Sequence, residues 1–124
     1  MTRAMLYFFK RLKLRLIWSW RGVLQTWGSE HSFRTWVWAN LVSALVALIL
    51  PISLAERALI LALGVLVLAF ELINTAIEHA VDYISKDQHP LAAKAKDAGS
   101  AGVFVASLAA GLAWVVVLMQ FLPG

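Results

Sequence analysis

The stretch RALILALGVLVLAFELINTAIEHAVDYI, residues 57–84, decides the fold class of this chain. Its first half has no charge from Ala58 to Phe70 and is apolar on every helical face, which is typical of a helix that spans a membrane. Residues 35–55 and 98–122 form two more charge-free runs, each long enough to cross about 30 Å of hydrocarbon at a rise of about 1.5 Å per residue. The sequence predicts one all-α membrane domain whose three spans cover residues 35–55, 57–84 and 98–122.

The composition excludes several other classes of protein. The chain has 124 residues, of which 61% are hydrophobic, and a mean hydropathy of +0.77, which lies outside the range of soluble domains. Cysteine is absent, so disulfides and thiol chemistry are excluded. No glycine-rich phosphate loop or dinucleotide fingerprint occurs, and the three histidines lack the spacing of a zinc site.

The basic residues predict the orientation of the chain. Seven of them precede the first span and three lie between the second and third spans, whereas Arg57 stands alone in the first loop. The positive-inside rule therefore predicts a cytosolic N-terminus and an external C-terminus. Residues 1–28 carry aromatic and aliphatic side chains at helical spacing opposite their basic ones, which indicates an amphipathic helix lying on anionic lipid. The alternative is that residues 1–28 form a solvated basic tail that only sets topology. We expect no nucleic-acid partner.

Polar residues in the second half of the quoted stretch form an acidic stripe: Glu71, Asn74, Thr75, Glu78 and Asp82. At about 100° per residue they share one helical face. Glu71 lies about 21 Å inward from Arg57 by residue count, where a carboxylate is costly and is rarely present without a function. A deep carboxylate suits proton abstraction, and a shallower one such as Glu78 suits Mg²⁺. The alternative is that these groups only specify helix packing through hydrogen bonds.

Other charged residues are predicted at the same membrane depth. Glu30 and Arg34 precede the first span, and Lys94, Lys96 and Asp97 precede the third, where a helix N-terminus and an ammonium group both favour phosphate. Three short spans can hardly enclose a site alone, so we expect an oligomer with shared sites.

Four segments carry a resemblance to a known family: SWRG (19–22), SEHSFR (29–34), ELINTAIEHAVD (71–82) and HPLAAKAKDAGSAG (89–102). On these residues the chain resembles the prokaryotic diacylglycerol kinases, small integral membrane enzymes that phosphorylate a lipid alcohol with MgATP. The resemblance implies a homotrimer in the bacterial inner membrane, with sites between subunits. It also implies that Glu71 is the general base, supported by Asn74, and that Glu30 and Glu78 hold the Mg²⁺.

The resemblance implies two binding sets as well. The ATP-binding residues would be Arg11, Glu30, Glu78, Asp87, Gln88, His89, Lys96 and Asp97. The lipid-binding residues would be Ser19, Trp20, Phe33, Arg34, Glu71 and Ser100. The chain departs from the family pattern on the first helix, because Leu14 occupies the place of a common lysine and Trp18 that of a common tyrosine. Lys13 or Arg15 would then replace the lysine.

Three functions are consistent with the sequence. The segments SWRG and KDAGSAG favour diacylglycerol as the lipid, and LINTAIEHAVD and HPLA also occur in the undecaprenol kinases of the same family. A small proton-coupled transporter with Glu71 as its proton-binding carboxylate is the alternative from another class. That alternative gives no role to Glu30, Glu78, Lys96 or Asp97.

Overall fold

The computed structural model describes residues 1–124, and the chain consists of four α-helices without strands. They are α1 (Arg3–Ser29), α2 (His31–Ile49), α3 (Leu54–Ile84) and α4 (Pro90–Met119). The last three are long and apolar enough to cross a membrane. The prediction of an all-α membrane fold with one N-terminal helix and three spanning helices is therefore confirmed.

The helices begin and end at residues that differ from the predicted spans. The first predicted span ran to residue 55, but α2 ends at Ile49, because the residue before Pro51 is driven into an extended conformation. Ser53 then caps α3 in a reciprocal capping box with Glu56, so α3 begins at Leu54. The third spanning helix, α4, begins at Pro90 rather than at residue 98, since His89 caps its first turn.

α3 lies at the centre of the packing and contacts both α2 and α4, whereas α1 touches the rest of the chain much less. Two glycines of the spanning helices permit close approach. A Cβ at Gly64 would collide with the amide oxygen of Asn40 on α2, and a Cβ at Gly99 would lie 2.5 Å from Asn74 Oδ1 on α3. Small residues at such positions let helix backbones pack closely inside a membrane.

One end of the bundle is closed by hydrogen bonds, and we call it the Arg57 end. The Arg57 side chain donates to the backbone carbonyls of Ala47 (2.8 Å), Leu50 (3.0 Å) and Ile52 (3.4 Å), which follow the last turn of α2 or belong to it. Gln120 donates to Glu56 across the same end (3.0 Å). The three bonds from Arg57 satisfy carbonyls that a helix terminus leaves without intrahelical partners.

The single chain covers little of its own apolar surface. Only 13 of its 124 residues are buried, and a small apolar cluster of Ala47, Ile52, Ile60 and Val117 lies beside the Arg57 end. The outward faces of α2, α3 and α4 are lined by exposed leucine, valine and phenylalanine side chains. Such faces are stable only against lipid or against other protein.

Candidate active site

The acidic stripe lies on one continuous helix, because α3 extends unbroken from Leu54 to Ile84. Three of its members are buried within the chain: Glu71 is 4% exposed, Asn74 is 9% exposed and Thr75 is 5% exposed. Glu78 is partly buried, and Asp82 lies further along the same face. The stripe therefore begins in the interior of the bundle and becomes more exposed toward the C-terminus of α3.

Glu71 is held by a residue of α2. The Ser32 hydroxyl, in the first turn of α2, donates a hydrogen bond to Glu71 Oε1. The sequence did not single out Ser32, since a lone serine before an apolar run carries no specific signal. This hydrogen bond places the carboxylate beside the N-terminus of α2, where the helix dipole favours negative charge.

Asn74 connects α3, α4 and the second carboxylate. Its Nδ2 donates to Glu78 Oε1 (3.2 Å), one turn further along α3. Its Oδ1 is fully buried, has no hydrogen-bond partner and lies against Gly99 of α4. Because Gly99 has no side chain, the Asn74 amide fits beside it and can orient Glu78.

Replacing Gly99 with Ala should disturb this arrangement, because the new methyl group must displace the Asn74 amide. We expect kcat/KM for the kinase reaction that the sequence resemblance implies to fall by about tenfold, because Glu78 loses its oriented partner. The matched control is Gly111→Ala on the same helix, which meets nothing within 4 Å. Equal activity in the two variants, measured on protein of equal assembly, would contradict this role of Gly99.

Glu30 lies between α1 and α2 and contacts His79 of α3, the residue that follows Glu78 of the stripe. Its Oε1 is 3.6 Å from His79 Nε2 and accepts from the Ser29 hydroxyl (3.1 Å). His79 follows Glu78 directly, so Glu30 and Glu78 come from separate segments to the same region of the fold. The contact with Glu30 gives His79 a polar partner near the end of α1.

The residues present fit a hard divalent cation. The chain has no group of three or more His, Asp and Glu side chains that could hold a metal by themselves. Mg²⁺ is usually bound by one or two carboxylates together with substrate phosphates and water. Glu30 and Glu78 would supply two such carboxylates, and Asn74 orients the second of them.

The residues predicted to bind ATP fall partly into one cavity between the end of α3 and the start of α4. It has a volume of ≈ 460 Å³, and its lining includes Asp82, Asp87, Gln88, His89 and Lys96. Lys96 Nζ donates to Asp82 Oδ1 (2.6 Å), an ion pair that fixes the ammonium group at the cavity wall. His89 Nδ1 accepts from the Leu91 amide (3.1 Å), which leaves Nε2 as its free donor. Asp97 is exposed nearby on α4.

The structure gives Arg11 and its neighbours no contact with the stripe. Arg11 bonds Tyr7 on its own helix (3.2 Å), with the guanidinium over the tyrosine ring. Lys13 and Arg15, the two residues predicted to replace a family lysine, are both exposed on α1.

The residues predicted to bind lipid are divided between surface and interior. Ser19 lines a cavity of ≈ 400 Å³ whose other wall includes Thr75 and His79 of α3. Trp20 and Ser100 are exposed, whereas Phe33 is 3% exposed and packs inside the chain. The Arg34 guanidinium donates to the carbonyls of Trp27 (2.6 Å) and Gly28 (3.4 Å). In the single chain Arg34 therefore links α2 to the last turn of α1.

The chain is similar to a known family and to proteins from several bacteria. Residues 17–118 match the family described as prokaryotic diacylglycerol kinase. The chain is 43% identical over 98 residues to the diacylglycerol kinase of Pseudomonas aeruginosa, covering 79% of this chain and 80% of that protein. It is 34% identical over 110 residues to the diacylglycerol kinase of Escherichia coli K12, covering 89% of this chain and 90% of that one. It is also 34% identical over 103 residues to the undecaprenol kinase of Bacillus subtilis, with 83% and 81% covered.

Three helices that are long and apolar enough to cross a membrane place the chain in the class of integral membrane proteins. Within that class, the chain belongs to the prokaryotic diacylglycerol kinase family. The resemblance seen in the sequence is therefore confirmed at the level of the family.

Proposed function

We propose that this protein is a lipid kinase that transfers the γ-phosphoryl group of ATP to the primary hydroxyl of diacylglycerol, which yields phosphatidic acid and ADP. The observation that carries the proposal is the buried Glu71 carboxylate on a spanning helix, on the same face as Asn74 and Glu78. The proposal is supported by relatives named diacylglycerol kinase that are 34–43% identical over most of the chain.

In the proposed reaction the hydroxyl oxygen of the lipid attacks the γ-phosphorus while the bond from that phosphorus to the bridging oxygen of ADP breaks. The Glu71 carboxylate accepts the hydroxyl proton. Phosphoryl transfer asks a protein mainly for positioning and charge neutralisation. Mg²⁺ held by Glu30 and Glu78 would neutralise charge on the ATP phosphates. Lys96, fixed by Asp82, would add a further positive charge at the phosphate side.

The position of the stripe agrees with two substrates of opposite solubility. A lipid reaches the site laterally within the membrane, and ATP reaches it from water, so the reacting atoms can meet only near the membrane surface. Glu71 is buried, whereas the cavity around Lys96 is lined by exposed loop residues at the end of α3. We place this surface on the cytosolic side of the bacterial inner membrane, with the C-terminus outside, because the basic residues cluster there.

We further propose that the functional unit is a homotrimer with sites shared between subunits. The support is the small buried fraction of the single chain, which leaves long apolar faces on all three spanning helices. Many residues that line the cavities beside Lys96 and Ser19 are exposed in the single chain, so a second copy could complete the walls of these cavities.

The identity of the lipid is tested by offering both candidate alcohols to the purified protein. In mixed micelles with radiolabelled ATP and Mg²⁺, we expect label to enter diacylglycerol with the higher kcat/KM. A higher kcat/KM with undecaprenol would favour the alternative that the Bacillus subtilis relative supports. If neither lipid stimulates magnesium-dependent ATP consumption, the kinase proposal is contradicted and the transporter is favoured.

Removing residues 1–16 tests the role of α1. This segment lies before the region that matches the family, and its phenylalanines and basic side chains are exposed. We expect the three spans to insert normally and the kinase activity to fall by about tenfold, because the surface helix loses its membrane anchor and its later residues, from Ser19 on, are no longer held against α3. Reporter fusions check insertion, and removal of residues 122–124 is the control. Full activity in the shortened protein would show that the segment only sets topology.

A further inference from the structure

We propose that Ser32 is a positioning residue for Glu71, which adds to the kinase reaction a role that neither the sequence pattern nor the family resemblance assigned. The inference rests on the proposed function of Glu71 as the base. Ser32 lies in the first turn of α2, and Glu71 lies 39 residues further along the chain on α3. The hydrogen bond from the Ser32 hydroxyl to Glu71 Oε1 links the two helices at the depth of the reaction.

The hydrogen bond matters because Glu71 has no other partner within the chain. Its side chain is 4% exposed, and Ser32 is the one residue that donates to it. A buried carboxylate without donors is strongly disfavoured in its charged form, and a hydrogen bond to the charged form stabilises it. The first turn of α2 adds the favourable end of a helix dipole. Ser32 therefore supplies the one hydrogen bond that this buried carboxylate receives within the chain.

The geometry also assigns different tasks to the two carboxylate oxygens. Ser32 occupies Oε1, whereas Oε2 has no hydrogen-bond partner in the chain. With Oε1 anchored, rotation of the flexible glutamate side chain is restricted and Oε2 is left for the hydroxyl proton of the lipid. Restricting a catalytic group to its reactive orientation lowers the entropic part of the barrier.

A neighbouring residue shows that this contact is not a general property of hydroxyl groups on α2. Thr35, three residues later, donates to the His31 carbonyl of its own helix (3.1 Å). Ser32 lies in the first turn of α2 and has no carbonyl of α2 four residues before it, and its hydroxyl donates across to α3. The side chain of Ser32 is exposed, so it contributes little to filling the core. Its contribution is the hydroxyl group.

The test compares Ser32→Val with Ser32→Thr, two substitutions of nearly equal shape that differ in the hydroxyl. We expect Ser32→Val to lower kcat by about tenfold with KM for ATP unchanged, since loss of one hydrogen bond to a charged group is of that order. Ser32→Thr should retain activity within about threefold of the unaltered protein. Thr35→Val, which removes a hydroxyl that bonds only its own helix, should have nearly normal activity.

A second measurement keeps the inference separate from the proposed function. Infrared difference spectra, with the Glu71 bands assigned by subtracting the Glu71→Gln variant, report the hydrogen bonding of this carboxylate without turnover. We expect Ser32→Val to shift these bands and Ser32→Thr to leave them in place. Unshifted bands, or equal kcat in the Val and Thr variants, would overturn the inference. An inactive but correctly assembled unaltered protein would overturn the kinase proposal, while a band shift would still support the contact.

Discussion

Replacement of Glu71 with Gln should lower kcat for lipid phosphorylation by at least ~10²-fold and leave KM for ATP nearly unchanged. The glutamine side chain has the same shape and can still accept the Ser32 hydrogen bond, so the fold and the helix contacts should persist. What is lost is the group that takes the hydroxyl proton. Steady-state kinetics with diacylglycerol and ATP, each varied at saturation of the other, measure the effect.

The matched control for this variant is Glu56→Gln, the same chemical change near the opposite end of α3. Glu56 bonds Ser53 and Gln120 at the Arg57 end and lies far from the stripe along the helix. We expect Glu56→Gln to retain nearly full activity. If Glu71→Gln also turns over at a near-normal rate, Glu71 is not the base, and the stripe must serve helix packing instead.

The second large effect is expected at the proposed Mg²⁺ site, which joins residues far apart in sequence. Glu30→Ala and Glu78→Ala should each reduce kcat/KM by about 10²-fold and weaken activation by Mg²⁺. Because both changes remove one functional unit, the double variant should be little worse than the poorer single variant. The measurement is a double-mutant cycle over a Mg²⁺ titration at saturating ATP and lipid.

A parallel cycle that combines Glu78→Ala with Glu56→Ala provides the control, since Glu56 lies at the other end of α3. In that cycle the losses in log(kcat/KM) should add. Additive losses for Glu30 and Glu78 would exclude a shared metal ion, as would an unchanged Mg²⁺ requirement in both single variants. Glu30 would then be an ordinary charged residue that contacts His79.

The fold could be predicted from the sequence because a long apolar segment in a membrane must satisfy its backbone hydrogen bonds internally, which a helix does. The helix bounds were less accurate, and the reason is local chemistry that hydropathy does not report. Pro51 and the Ser53–Glu56 capping box end one helix and begin the next within four residues. Likewise, Pro90 after His89 starts α4 among charged residues, well before the apolar run begins.

The candidate site was predictable wherever a single helix carries it. Glu71, Asn74 and Glu78 share a face through helical periodicity alone, and the structure keeps them on one face. Contacts between helices depend on how α2 and α4 are placed against α3, which residue types in a sequence do not specify. Two features of the site are contacts between helices and were therefore not predictable: the hydrogen bond from Ser32 to Glu71, and the fit of Gly99 beside Asn74. The interior position of Phe33 was not predictable for the same reason.

The closed Arg57 end has a consequence for engineering this chain. Three carbonyls, the Glu56–Gln120 pair and an apolar cluster already hold that end together, and no proposed substrate group lies there. Substitutions that strengthen the packing at the Arg57 end can raise resistance to heat and detergent without restricting the motion of the proposed catalytic and binding residues. The opposite end carries open cavities and a loosely attached α1, and improved packing there would oppose the entry of lipid and nucleotide. Resistance to heat and detergent can therefore be changed by substitutions at the Arg57 end, and catalytic turnover by substitutions at the opposite end of the same three helices.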